Sequence, residues 1–242
     1  MIVRFSPRHG AGISKELESE VLSRKLILSG AYLQAFANVP SDILWTLEKI
    51  DASLAKTMES RPMDGDVWLF GYGSLIWNPL FEYEAKEVAM LHGWHRSFCL
   101  RTIAGRGCEE TPGRMLSLEP GGFASGVALR LPKDKVDEEL RIIWIREMVT
   151  GAYTPTWADV TLPDGRQITA LAFVADPSHP YYESNSDVPH IARFIAAASG
   201  PMGTNADYVQ KLQSALVDCN VKDSYIENLA AELTRLSADQ DP

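Results

Sequence analysis

The stretch Gly71-Tyr72-Gly73-Ser74-Leu75-Ile76-Trp77-Asn78-Pro79, GYGSLIWNP, follows directly on the apolar run Val67-Trp68-Leu69-Phe70. A strand that empties into two glycines and a serine, then turns apolar again, indicates a special backbone path or a close approach by another group. The familiar glycine motifs do not fit. A dinucleotide fingerprint needs a glycine where Ile76 stands, and a P-loop needs Gly-Lys-Ser/Thr. A serine-hydrolase elbow needs glycine two places either side of the serine, whereas Ser74 has Tyr72 and Ile76 there. Two readings remain: backbone N–H groups that cradle a carboxylate or a developing oxyanion, or a plain structural bulge.

Working outward, the chain from Asp66 onward reads as strands at Val67–Phe70, Val88–Leu100, Met115–Leu118, Ala124–Leu131, Ala158–Leu162 and Ile168–Val174. Pro163-Asp164-Gly165 marks a hairpin between the last two. Helical spacing returns at Lys133–Thr150, Pro189–Ala198, Asp207–Leu216 and through Ile226, Leu229, Leu233 and Leu236. Before Asp66, residues 1–65 read as a helical extension, with Ser41-Asp42 as the cap of a helix carrying Ile43, Leu44, Leu47, Ile50, Leu54 and Met58. Arg61-Pro62-Met63-Asp64-Gly65 reads as the linker to the second unit, residues 66–242. The fold class is α+β, with a curved or barrel-like sheet and flanking helices.

The chain of 242 residues is 45% hydrophobic and 23% charged, enough apolar material for a substantial core. Its formal charge of −9 argues against a nucleic-acid partner, which needs clustered Lys and Arg. Leu26–Val39 is too short to span a bilayer and is preceded by Glu16, Glu18 and Glu20 where a signal peptide would be basic. No membrane partner is expected. The three cysteines, Cys99, Cys108 and Cys219, are odd in number and without close spacing, which fits free thiols in the cytoplasm. Nothing in the sequence marks an oligomeric state.

Glu147 is the carboxylate of interest. Val136, Leu140 and Ile143 recur at intervals of four and three, and the next step of four reaches Glu147. These positions share one narrow helical arc with Trp144 at its edge, while Asp137, Glu138, Glu139 and Arg141 fall outside it. A carboxyl on a buried stripe has a raised pKa, which suits proton transfer; alternatively, it snorkels to water or caps a neighbour. His92 and His95, three apart in a strand, point to opposite faces and cannot share a metal. No zinc spacing is present, and no cofactor is expected. Tyr72, Tyr153 and Tyr208 are either substrate contacts or amphipathic packing residues.

FGYGSLIWNP, then TPGR (Thr111–Arg114), IREMVTGAY (Ile145–Tyr153) and NADYV (Asn205–Val209) resemble, in order and spacing, the ChaC-like gamma-glutamylcyclotransferases. The likeness covers about Asp66 to Leu236, and Ala152 stands where the family often has a second glycine. The resemblance implies a small mixed β-barrel with flanking helices. It also implies a lyase that splits glutathione into 5-oxoproline and cysteinylglycine without metal or nucleotide. The γ-glutamyl cradle then maps onto Gly71, Tyr72, Gly73, Ser74, Leu75 and Ile76, and the acid/base glutamate onto Glu147. Rival expectations are the same cyclisation on other γ-glutamyl amino acids or amines, and a non-catalytic regulatory role.

Overall fold

The computed structural model describes residues 23–62 and 65–239; the expected helical character before Ser23, and Met63-Asp64 of the linker, lie outside the described residues. Five strands close into a barrel: β1 (Trp68–Gly71), β2 (Ala85–Thr102), β3 (Gly113–Arg130), β4 (Tyr153–Thr161) and β5 (Gln167–Ala175). Their order around it is β1-β3-β2-β4-β5. All pairs are antiparallel except the closing one, where β1 meets β5 in parallel through Leu69 and Leu171. Closure leaves no edge of this sheet open. The α+β expectation of a small mixed barrel with flanking helices therefore describes the molecule.

Met115–Leu118 and Ala124–Leu131 are not two strands but parts of the 18-residue β3. Pro120-Gly121-Gly122, between them, forms a bulge. His92 pairs with Phe123 and Trp94 with Pro120, so Gly93 faces Gly121 and Gly122, and all three glycines take positive φ. The extra residue breaks the two-residue period. His92 and His95 are both exposed, bonded to Thr161 Oγ1 and the Gly121 carbonyl respectively. A second bulge sits between Ser97 and Leu100, and there Phe98 N–H turns aside to donate to the Tyr225 hydroxyl at 3.0 Å.

In the N-terminal part, α1 (Arg24–Leu28), α2 (Ala31–Gln34) and α3 (Leu47–Glu59) precede the barrel. Thr46, not Ser41-Asp42, caps α3: its side chain accepts from Lys49 N–H, and Ile43 and Leu44 lie ahead of the helix. The helix α4 (Val136–Glu147) ends three residues sooner than expected from its sequence. It is also buried more widely than one arc. Glu139, expected outside the buried stripe, is wholly buried and paired with Arg24, and it accepts the Glu82 N–H at 3.0 Å. The reason is that α1 and α3 both pack against α4. After the barrel come α5 (Val188–Ala197), the two-residue strands β6 (Ser199–Gly200) and β7 (Gly203–Thr204), α6 (Asn205–Asp218) and α7 (Ser224–Ala238). Among the described residues no helix is long and apolar enough to cross a membrane.

The junction between extension and barrel is tight at Gly151. Trp45 N–H donates to Val149 O at 2.8 Å, and its indole lies where a Cβ on Gly151 would be. Gly151 also has φ +66°, a conformation that L side chains rarely adopt. Gly151→Ala is therefore expected to cost about 2 kcal/mol through strain and overpacking. That lowers Tm by roughly 4–8 °C for a chain of this size, as differential scanning calorimetry would show.

Candidate active site

The four sequence segments that stand out as motifs converge on one end of the barrel. Beyond β1, the chain passes Tyr72 and Gly73 into a single 3-10 turn, Ser74–Ile76, in which Ile76 N–H donates to Gly73 O. That N–H is thus spent internally. Neither Gly71 nor Gly73 has positive φ, so the turn does not have the alternating-hand geometry of a nest. The glycines answer close approaches by the protein itself. A Cβ on Gly71 would stand 3.2 Å from both Leu75 and Val127 side chains, and one on Gly73 would stand 2.8 Å from the Tyr208 hydroxyl.

Tyr208 comes from the NADYV segment. Thr204 caps α6 by accepting from Asp207 N–H, and Asn205, fully buried, accepts from the Arg114 N–H at 2.7 Å. Asn205 Oδ1 occupies the place of a Gly113 side chain, so the glycine of TPGR is required by the asparagine of NADYV. The Tyr208 phenol then reaches the Ser74 backbone amide. Arg106 donates to Thr204 O at 2.8 Å and lies over the Tyr208 ring, 5.5 Å from its centroid.

Arg146 and Glu147 close α4. Arg146 is buried; it donates to Asn78 O and Pro79 O through Nη1, and to Ser74 Oγ at 2.7 Å through Nη2. Its Nε lies 3.0 Å from Glu147 Oε1. The Glu147 side chain keeps 16% exposure. Burial raises its pKa, partly opposed by the Arg146 charge. The C-terminal end of a helix also disfavours an anion. A carboxyl held between acid and base in this way can take a proton and return it.

Glu147 opens into a cavity of about 640 Å³ that also exposes Ser74, Tyr153 and Tyr208. Volumes of this order suit small-molecule ligands. Of the expected site residues, the structure brings Glu147, Ser74, Tyr153 and Tyr208 to the cavity; Gly71, Tyr72, Gly73, Leu75 and Ile76 form the layer behind it. Tyr72 donates to Phe173 O at 2.6 Å and Tyr153 to Leu116 O at 3.2 Å, so both hydroxyl protons are engaged. Tyr208 differs, since its O–H meets no acceptor among the described residues. Burial pushes its pKa up to about 12, and it stays a neutral donor at physiological pH.

Arg101, Arg106 and Lys211 line the cavity as well, with Arg146, while Glu147 is the one acidic side chain there among the described residues. In a chain of net charge −9 this is a local reversal of sign, and it favours an anionic ligand. Arg146 was legible only as the neighbour of Glu147, and Arg106 only as part of a Gly-Arg-Gly loop. A further positioning residue, Arg96, carries no sequence signal. Buried within β2, it donates to Tyr72 O at 2.8 Å and pairs with Asp223 at 2.7 Å. It thereby fixes the backbone entering the turn.

Comparison with known proteins agrees with this picture. The model of a family described as ChaC-like protein matches residues 67–236. The chain is similar to the glutathione-specific gamma-glutamylcyclotransferase of Escherichia coli K12, 45% identical over 92% of this chain and 96% of that one. It is also similar to the human glutathione-specific gamma-glutamylcyclotransferase 1, 34% identical over 69% of this chain and 78% of that one. A solved yeast gamma-glutamylcyclotransferase specific to glutathione shares the fold, with a TM-score of 0.65 at 21% identity over 71% of this chain and 97% of that one.

Gly73→Ala is expected to push the Tyr208 hydroxyl out of place, because the new methyl would stand 2.8 Å from it. Displacement on the scale of an ångström costs roughly 10²-fold in turnover where positioning matters. Steady-state kinetics beside near-ultraviolet circular dichroism would separate this from unfolding; unchanged kcat/KM would rule out the positioning.

Proposed function

The chain belongs to the ChaC-like family, and we propose that it is a lyase that cleaves glutathione by intramolecular cyclisation, releasing 5-oxoproline and cysteinylglycine. The observation that carries this reading is Glu147: a carboxyl with raised pKa, facing a cavity otherwise rich in cations and phenols. Glutathione, with two carboxylates and one ammonium, matches that balance of charge. The 45% identity to the E. coli glutathione-specific enzyme over nearly the whole chain supports the same substrate.

The reaction follows from these groups. The Glu147 carboxylate takes a proton from the α-ammonium of the γ-glutamyl residue and frees the lone pair. The amine attacks its own γ-carbonyl carbon, the N–C bond of a five-membered ring forms, and the amide bond to cysteine breaks. The ring nitrogen sheds a second proton as it becomes an amide, and the departing amine takes up two to leave as an ammonium. No water enters and no net proton is gained or lost. Because nucleophile and electrophile belong to one molecule, holding the glutamyl chain folded exploits effective molarities of about 10⁵ M or more. The Tyr208 O–H supplies a donor to the developing oxyanion, contributing roughly 3 kcal/mol where geometry is good. Arg106, over the face of Tyr208, supplies positive charge for a substrate carboxylate.

Incubating the purified protein with glutathione, and with a γ-glutamyl amino acid in parallel, tests the assignment by product analysis. The expected products are 5-oxoproline and cysteinylglycine from glutathione. Release of 5-oxoproline from the second compound alone would keep the chemistry and replace the substrate. Glu147→Gln is expected to lose about 10²–10⁴ in kcat while still binding glutathione by calorimetry. Since the base works ionised, activity falls as pH drops through the Glu147 pKa. That pKa is raised, so the acid limb of kcat/KM is expected above the ordinary value of 4.5. A limb at or below that value would contradict the assignment.

A further inference from the structure

The cavity that holds Glu147 is not built by the barrel and its flanking helices alone. Leu26, Tyr32, Phe36 and Val39, from the segment ahead of α3, line it too. This segment lies outside the family match, which begins at residue 67. We propose that residues 26–39 form the wall that receives the leaving half of the substrate, a short peptide, and so set the selectivity of the site for what is attached to the γ-glutamyl group. The proposal rests on glutathione being the substrate.

The segment is fastened at three places, all on or just after α4. Arg24 pairs with Glu139 and Glu138, the first of them wholly buried. The Tyr32 hydroxyl donates to Arg146 O at 3.1 Å, one residue from the catalytic candidate, and burial raises its pKa so that it stays protonated. Farther along, Trp45 N–H donates to Val149 O at 2.8 Å. Tyr32 packs edge-on against Phe36, with ring centroids 5.2 Å apart, which directs the arm's second aromatic ring to the cavity. A segment serving only to cover the barrel would close down upon it. Instead the arm's side chains share with Ser74, Glu147 and Tyr208 the lining of an open cavity of about 640 Å³.

Chemistry decides which half of the substrate meets this wall. The γ-glutamyl half carries an ammonium and a carboxylate and belongs with Glu147, Ser74, Arg146 and Tyr208. Leu26, Phe36 and Val39 offer it no polar partner. The cysteinylglycine half extends about 7 Å beyond the scissile amide. Beside a terminal carboxylate, for which Arg101 and Lys211 of the same cavity offer positive charge, it presents a thiol and methylene groups that gain from contact with an apolar surface. The arm therefore meets the leaving group, and its side chains add selectivity to a cyclisation that the barrel performs.

The test is calorimetric, on the full chain, with cysteinylglycine and 5-oxoproline as separate ligands. Phe36→Ala is expected to weaken cysteinylglycine about tenfold and to leave 5-oxoproline unchanged, with KM for glutathione rising by a similar factor. Leu26→Ala repeats the measurement at a second position of the arm, in case the first variant does not fold. Unchanged cysteinylglycine affinity in a folded variant overturns the proposal, as does a loss confined to 5-oxoproline or a wild-type protein that binds no cysteinylglycine. A wild-type protein that binds the dipeptide but does not turn over glutathione would overturn the cyclisation of glutathione itself. The wall would then still be decided by the dipeptide affinities of the variants.

Discussion

The buried guanidinium of Arg146 is the contact on which the rest of the site depends. It joins two segments far apart in sequence: the turn after β1, through Ser74 Oγ, Asn78 O and Pro79 O, and the end of α4, through Glu147. Without it the carboxylate would be buried uncompensated, a situation that costs several kcal/mol. With it the rise in pKa that burial imposes on the carboxyl is opposed by a positive charge. The same group thus holds the turn and tunes the Glu147 carboxyl. A lysine there could not serve four acceptors at once, since its donors radiate from one nitrogen and not from a planar fork.

The motifs resemble one another in no chemical sense, yet each exists to satisfy a neighbour. Gly73 leaves room for Tyr208, Gly113 leaves room for Asn205, and Gly151 leaves room for Trp45. Asn205 starts the helix that carries Tyr208, and Arg96 holds the carbonyl of Tyr72. Tyr72 in turn donates to β5 at Phe173. The glycines that first suggested space for a ligand are thus accounted for by protein atoms, and the cavity lies one layer further out. That cavity is lined on one side by Leu26, Tyr32, Phe36 and Val39 of the N-terminal segment.

Much of the fold was legible. The apolar runs at Val67–Phe70 and Ile168–Val174, the Pro-Asp-Gly hairpin and the helices carrying Ile191 and Leu229 all lie where periodicity puts them. What failed did so for identifiable reasons. Pro120-Gly121-Gly122 has the composition of a turn, but long-range pairing with β2 carries the strand through it as a bulge. Glu139 has the position of a solvated residue, but Arg24, more than a hundred positions away, makes its burial tolerable. At the site, the helical arc singled out the Glu147 carboxyl and the family resemblance gave it a role. The more distant cations could not be found by local pattern, because Arg96 and Arg106 meet their partners Asp223 and Thr204 only through contacts far apart in sequence. The place of Tyr32 and Phe36 on the cavity wall was invisible too, because it depends on contacts such as that of the Tyr32 hydroxyl with Arg146 O.

The central claim is that the bond is broken by the substrate's own amine and not by water. Turnover of glutathione in ¹⁸O-enriched water, with products resolved by mass spectrometry, tests it most directly. Cyclisation predicts equal amounts of cysteinylglycine and 5-oxoproline, with no label from solvent in either. Glutamate carrying one ¹⁸O in its side-chain carboxyl would mean hydrolysis, and would contradict the role of Glu147 as the base that frees the substrate's amine.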